Sequence, residues 1–127
     1  MKLLDAIKIS ATNSTPYISA DPQTRQIVIK GRSLPTNVVT FYQPIIDWIK
    51  MYGTTDNEDL NVKIQLSFLN SSSHKRLLDI FEGVESLQEK GCKAEIEWFY
   101  KEGDEDIYTA GTEFLSILKC PLKLVKE

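Results

Sequence analysis

The stretch NVKIQLSFLNSSSHKRLLDIFEGV, residues 61–84, decides the fold of this chain. From Val62 to Phe68, apolar residues alternate with polar ones, which is the pattern of a β-strand with one buried face. After Asn70 the apolar residues recur every three or four positions, which is the period of an amphipathic helix. The stretch therefore predicts a buried strand that runs directly into a helix over residues 72–90.

The turn between strand and helix, residues 70–73, reads Asn-Ser-Ser-Ser. Strand-to-helix turns at the carboxyl ends of strands are where open α/β folds place their sites. One serine is expected to cap the helix, with Ser72 preferred, and capping needs only one hydroxyl. His74, Lys75 and Arg76 put positive charge in the first turn, where the helix dipole disfavours it unless an anion is present. The residues alone leave two interpretations open, a cap without further function, which is the commoner case, and a phosphorylated serine.

Four other segments have the pattern of strands. Residues 17–20 and 26–30 are expected to pair as an antiparallel hairpin around a turn at 21–24 that contains proline. Residues 93–100 alternate apolar and acidic side chains, and residues 122–125 predict a short edge strand. Residues 1–14 are weakly patterned, and they either add a strand around Ile7 and Ile9 or fray.

Two further helices are predicted, at about residues 35–52 and 104–119. Ser33 is the expected N-cap of the first of these. Pro44 lies inside the same helix, and an interior proline loses a hydrogen bond and clashes with the preceding turn. The helix is therefore expected to kink or split near Gln43.

The element order β-β-α-β-α-β-α predicts an α/β fold of the mixed α+β kind, formed as a single domain over residues 1–127. Strand–helix–strand connections in one sheet are right-handed, so the helices are expected to cover mainly one face of a mixed sheet. This layout is similar to that of STAS-type domains.

Composition argues against several classes of protein. The net charge of −3 and the scattered basic residues disfavour nucleic-acid binding, and no apolar run is long enough to span a membrane. Cys92 and Cys120 lack metal or redox spacing, and the acidic run at residues 102–106 lacks that of a calcium loop. Without an evident export signal, the free thiols favour a cytoplasmic location. No metal and no cofactor is expected.

An enzymatic activity is not expected either. His74 is the only histidine and has no evident carboxylate partner in the sequence, and no known catalytic motif is present. A weaker alternative is a small enzyme, in which carboxylates such as Asp79 and Glu82 meet others in space.

Three segments in order resemble the SiaC family of bacterial regulatory phosphoproteins, over about residues 15–124. They are GRSLPTN with FYQP (residues 31–44), FLNSSS with LLDIF (residues 68–81), and WFY with an acidic run and Phe114. Two positions depart from the family pattern. Ser71 stands where the family usually has threonine, and Thr36 where it usually has glutamate.

The resemblance implies a STAS-like partner-switch protein. Its unphosphorylated form would bind and activate a GGDEF-type diguanylate cyclase, while a protein kinase and a PPM-type phosphatase would control its phosphorylation. The implied phosphoacceptor is Ser71, with Ser72 the runner-up, and the surrounding residues are Asn70, Ser73, Lys75 and Arg76. The expected partner contacts are Arg32, Leu69, Asp104 and Asp106. The alternative is a STAS-like scaffold, or a binding protein of the anti-sigma-factor-antagonist type that acts on another partner.

Overall fold

The computed structural model describes residues 4–55 and 59–127. Its strands are β1 (Ile7–Ile9), β2 (Tyr17–Asp21), β3 (Gln26–Ser33), β4 (Asp59–Leu69), β5 (Lys93–Tyr100) and β6 (Leu122–Lys126). Its helices are α1 (Val38–Tyr52), α2 (Ser71–Glu89) and α3 (Glu105–Ile117). Residues 1–3 of the weakly patterned segment lie outside the described residues, and Ile7–Ile9 form the strand considered for them.

The strands form one mixed sheet whose order in space is their order in the chain. β1, β2 and β3 pair antiparallel, while β3, β4, β5 and β6 pair parallel. Each parallel connection contains one helix and moves one strand further in the same direction, so right-handed crossovers place all three helices on one face. The predicted mixed sheet, its hairpin and its short edge strand are confirmed.

This topology brings the helix starts together. The parallel strands β3, β4 and β5 end at one edge of the sheet, and each is followed by the start of a helix. We call this the carboxyl edge. Between sheet and helices, the buried apolar residues of all three helices and of β2 to β6 form one core cluster. No helix in the described part of the chain is long and apolar enough to cross a bilayer.

The alternation of buried and less buried side chains along β4 stops after Leu66. Its apolar residues are buried as far as Leu66, but Phe68 is 44% exposed. The register with β3 shifts at this point, since Leu66 pairs with Gly31 and Phe68 with Arg32, which leaves Ser67 as an extra residue. Gly31 has φ of +125°, a conformation that favours glycine. The expectation that Phe68 belongs to the buried face is therefore wrong, because a bulge ends the regular pairing before it.

The start of α1 also differs from expectation. Asn37 is its N-cap, and its side-chain oxygen accepts a hydrogen bond from Thr40 N at 3.1 Å. Ser33 is instead the last residue of β3 and is fully buried. The prediction of Ser33 as the cap is wrong, because an asparagine closer to the helix satisfies its free N–H groups.

Proline does not split α1. The helix is continuous from Val38 to Tyr52 with Pro44 inside it, so the expected break near Gln43 is not found. Pro44 is exposed, whereas Tyr42 and Ile45 on either side of it are completely buried. Burial of the apolar face therefore holds the helix across the missing hydrogen bond.

The third helix lies very close to the sheet. Asp104 caps α3 by accepting from Ile107 N at 3.1 Å, as expected for an acidic run before a helix. Ile107 O in turn accepts from the indole N–H of Trp98, on β5, at 2.9 Å. A Cβ atom at Gly111 would lie 2.5 Å from Trp98 Cδ1. Glycine is thus the residue that lets α3 approach β5.

Candidate functional site

The turn between β4 and α2 is capped by asparagine rather than by serine. Asn70 Oδ1 accepts from Ser73 N at 2.9 Å and from the Ser72 hydroxyl at 3.2 Å. The expectation that Ser72 is the cap is therefore wrong. Asn70 precedes the helix with extended backbone, as an N-cap does, whereas all three serines lie inside α2.

Ser73 belongs to a buried hydrogen-bond network. The hydroxyls of Ser33 and Ser73 are 2.8 Å apart, the Ser73 hydroxyl donates to Ser33 O at 2.9 Å, and Ser33 Oγ lies 2.5 Å from the Tyr42 hydroxyl. If Ser33 donates to Ser73, Tyr42 must be the donor to Ser33. Burial raises the pKa of Tyr42 to about 12, which keeps its proton available for this bond. The network connects β3, α1 and α2 behind the turn, and it leaves the Ser73 hydroxyl inaccessible.

Ser71 is in the opposite situation. It is the first residue of α2, its side chain is exposed, and within residues 4–55 and 59–127 no group hydrogen-bonds its hydroxyl. Ser72 is exposed as well, but its hydroxyl is bonded to Asn70. Of the three serines, Ser71 therefore has the free hydroxyl that a modifying enzyme needs.

Ser71 lies on the wall of an open cleft of about 510 Å³ at the carboxyl edge. The cleft separates the start of α2 from the start of α3, and the end of β4 forms its floor. Its apolar surface includes Phe68, Leu69, Ile107 and Ala110, and its charged and polar surface includes Asn70, His74, Asp104, Asp106 and Glu113. Three carboxylates and one imidazole thus face the cleft.

His74 has a carboxylate partner that the sequence did not reveal. Its Nε2 lies 3.1 Å from Glu113 Oε2, across the cleft. The imidazole ring also stacks on Phe114, with 4.3 Å between the ring centroids. The oxygen is not in hydrogen-bonding geometry, so the buried Nε2 has a charged neighbour but no hydrogen bond within the described part of the chain. The expectation of a histidine without a carboxylate partner is wrong, because packing of α2 against α3 supplies one.

The two cations expected near Ser71 lie on different sides of α2. Arg76 contacts Asp79 at 3.3 Å and, in α1, Val39 O at 3.2 Å and Gln43 Oε1 at 2.5 Å. It therefore faces α1 and is held away from the cleft. Lys75 is exposed and, four positions after Ser71, lies on the same side of the helix.

The expected contact residues are partly brought together. Leu69, Asp104 and Asp106 line the cleft with Ser71. Arg32 is exposed beside it, with its guanidinium carbon 5.8 Å from the centre of the Phe68 ring. Sequence reasoning missed Phe68 as a surface residue.

Among the described residues, no three His, Cys, Asp or Glu side chains form a group that could hold a metal ion.

A family model and a relative from Pseudomonas aeruginosa each match most of this chain. The family model described as SiaC family regulatory phosphoprotein matches residues 9–127. An uncharacterised protein of Pseudomonas aeruginosa strain UCBPP-PA14 is 29% identical over 108 residues, which cover 85% of this chain and 86% of that protein.

The solved structures agree. Apo-SiaC from Pseudomonas aeruginosa superposes with a TM-score of 0.87 at 26% identity, covering 95% of this chain and 98% of that chain. A chain in the crystal structure of the diguanylate cyclase SiaD in complex with its activator SiaC, also from Pseudomonas aeruginosa, gives 0.89 at 26% identity, covering 95% and 99%. The fold, the three motifs and the match over nearly the whole length lead to one conclusion: this chain belongs to the SiaC family of regulatory phosphoproteins.

Proposed function

We propose that this chain is a phosphorylation-controlled partner switch whose unphosphorylated form binds and activates a GGDEF-type diguanylate cyclase, and so promotes cyclic di-GMP synthesis. The observation that carries the proposal is the free, exposed hydroxyl of Ser71 on the cleft wall, in a chain of a regulatory phosphoprotein family. The related SiaC is an activator found in complex with the cyclase SiaD.

Ser71 is the phosphoacceptor in this proposal, and Ser72 is the runner-up. A kinase must reach the hydroxyl and must find it without a competing bond. Ser73 is fully buried, and Ser72 donates to Asn70. A protein kinase adds the phosphoryl group to Ser71, and a PPM-type phosphatase removes it.

Phosphorylation acts through local charge. A phosphoserine carries nearly two negative charges at neutral pH, and it would enter a cleft that already presents Asp104, Asp106 and Glu113. Lys75 and the start of α2 offset part of this charge, so the domain keeps its fold. Arg76 is already bonded to α1 and is not used.

The cyclase binds over the cleft, where its surface covers Phe68, Leu69, Arg32, Asp104 and Asp106. Phe68 offers exposed apolar area beside a cation, and the two aspartates offer charge for basic groups of the partner. A phosphoryl group beside this contact loses hydration without gaining hydrogen-bond donors from the cyclase. A penalty of about 3 kcal/mol would weaken binding by about two orders of magnitude.

The experiment is a binding titration of the cognate cyclase against four forms: unmodified protein, protein with phosphoserine at position 71, Ser71→Ala and Ser72→Ala. Cyclic di-GMP production is measured with each form at saturation. Unmodified protein and both alanine variants are expected to bind and activate alike, and the phosphoprotein is expected to bind about 100-fold more weakly.

The kinase supplies the matched control. It should modify Ser72→Ala at one site and leave Ser71→Ala unmodified, as seen by intact mass. Full modification of Ser71→Ala would exclude Ser71 as the acceptor. Equal cyclase affinity of the phosphorylated and unmodified proteins would exclude the switch.

A further inference from the structure

The structure also indicates which contact within the domain changes when Ser71 is phosphorylated. We propose that a phosphoryl group on Ser71 binds His74 Nε2 and displaces Glu113 from it, so that the link between α2 and α3 opens. This inference rests on the proposed function, because it assumes that Ser71 is modified.

The positions of the three residues make the exchange possible. Ser71, His74 and Glu113 all line the same cleft. Ser71 and His74 are three positions apart on α2, so their side chains project on the same side of the helix. Glu113 reaches the imidazole from α3, with 3.1 Å between Nε2 and Oε2. Two acidic groups on opposite walls thus compete for one nitrogen.

The imidazole is the fixed member of the exchange. Its ring stacks on Phe114 with an interplanar angle of 19°, and Phe114 is completely buried. Nε2 is buried and has no hydrogen bond within the part of the chain that the structure describes. With the proton on Nε2, the imidazole is therefore a donor already desolvated and in place, with bonding capacity unused by Glu113.

Glu113 is the carboxylate that can leave. Its side chain is 55% exposed and long enough to turn into solvent, and within the described residues no hydrogen bond ties it to Nε2. Asp104 cannot move in the same way, because its Oδ1 caps α3. A phosphoryl group also brings more charge and more acceptor oxygens to the donor than a carboxylate does. The exchange therefore favours phosphate at His74 and frees Glu113.

The test is a thermal double-mutant cycle on the full chain, with serine or phosphoserine incorporated at position 71 during translation. It needs no kinase and no cyclase, so its failure would leave the proposed function standing, and failure of the cyclase titration would leave this result standing. Glu113→Gln is compared with Asp106→Asn, which removes a carboxylate from the same cleft without a contact to His74.

Glu113→Gln is expected to leave the Tm of the unmodified protein unchanged or to lower it slightly. In the phosphoprotein it should raise the Tm by about 3 °C, because the competing charge is gone. Asp106→Asn should show less than half of this difference between the two forms. The same shift from Glu113→Gln in both forms would show that phosphate and Glu113 do not interact, and equal behaviour of the two variants would show that phosphate acts by diffuse repulsion. Either result would overturn the proposal.

A second variant tests the imidazole itself. His74→Phe keeps a ring to stack on Phe114 but removes Nε2. Phosphoserine at position 71 should then lower the Tm by about 3 °C more than it does with His74 present. An identical effect of phosphoserine in both backgrounds would mean that Nε2 does not bind the phosphoryl group.

Discussion

Ser33 and Ser73 are forty residues apart in the sequence, yet their hydroxyls lie 2.8 Å apart and both side chains are fully buried. Ser33 ends β3 and Ser73 lies in the first turn of α2, so one pair of hydroxyls fixes the helix start to the strand end. Buried polar groups stabilise a fold only when they are all bonded. These buried hydrogen bonds therefore fix the turn that carries Ser71 to the end of β3.

Replacement of Ser73 by alanine should lower the free energy of unfolding by about 1–3 kcal/mol, because the buried Ser33 hydroxyl loses its acceptor. Urea denaturation measures this directly. Ser72→Ala is the matched control, since that hydroxyl is exposed, and it should change stability by less than about 0.5 kcal/mol. Equal costs for the two variants would mean that the network does not stabilise the turn.

Tyr42 should make the protein sensitive to alkaline pH. Burial raises its pKa from 10.0 to about 12 in the folded protein. Below pH 10 the hydroxyl is protonated in both the folded and unfolded states, and the full stability is present. Between pH 10 and 12 the unfolded chain loses this proton while the folded protein keeps it, so stability falls as pH rises, by up to about 3 kcal/mol.

Tyr42→Phe should therefore be less stable near pH 8, where it lacks a hydrogen bond, and should lose less stability between pH 10 and 12. Denaturation at a series of pH values measures both effects. Part of the decline should persist, since burial also raises the pKa of Tyr52 to about 12. Tyr17→Phe, on the face of the sheet away from the helices, is the control. A pH profile unchanged by Tyr42→Phe would contradict the assignment.

Gly111→Ala should destabilise the protein by about 1–3 kcal/mol or more, because the added methyl group would meet Trp98 Cδ1 at 2.5 Å and Leu124 Cδ2 at 2.7 Å. Gly83→Ala is a matched control in the interior of α2. Its Cβ would lie 3.3 Å from a side-chain carbon of Ile49, and alanine favours the helix. Its Tm should stay within a few degrees of the parent. If Gly111→Ala were as stable, α3 would not pack on Trp98 as described.

Phe68→Ala should weaken cyclase binding at least tenfold with little effect on folding, because the ring is 44% exposed on the proposed contact surface. Met51→Ala removes an apolar side chain that is 46% exposed at the other end of α1, away from the carboxyl edge. It should bind as the parent does. Isothermal titration with the cyclase, beside a melting curve of each variant, separates binding from stability. Similar affinities for both variants would place the contact elsewhere.

The sequence predicted the elements well where one face is buried along a whole segment. The alternation in β4 and the helical period in α2 each reflect burial of one face against the core. The structure shows this burial in both elements. The pattern gave the wrong expectation at Phe68, because Ser67 is left without a partner in the β3–β4 register, and periodicity within β4 does not show this bulge. At Pro44 the expected split is absent, because burial of Tyr42 and Ile45 outweighs the local cost, while the expected kink stays a prediction.

The candidate site was predicted only in part. Ser71 followed from a motif, and the structure places it on a cleft. The partners of the surrounding residues could not be foreseen, because they come from other elements. His74 meets Glu113 across the α2–α3 contact, and Arg76 meets α1.

The capping residues were misassigned at two helices because serine and asparagine are almost equally good caps, and only the backbone path decides which one is used.

Strand order in the sheet is also the order of synthesis. A strand that leaves the ribosome can therefore pair with the strand made before it, and no strand has to insert between two others. β4 pairs with β3, β5 with β4 and β6 with β5, and a single helix connects the strands of each pair. Domains whose early segments can pair in this way spend less time with unsatisfied strand edges exposed, which protects the nascent chain from aggregation.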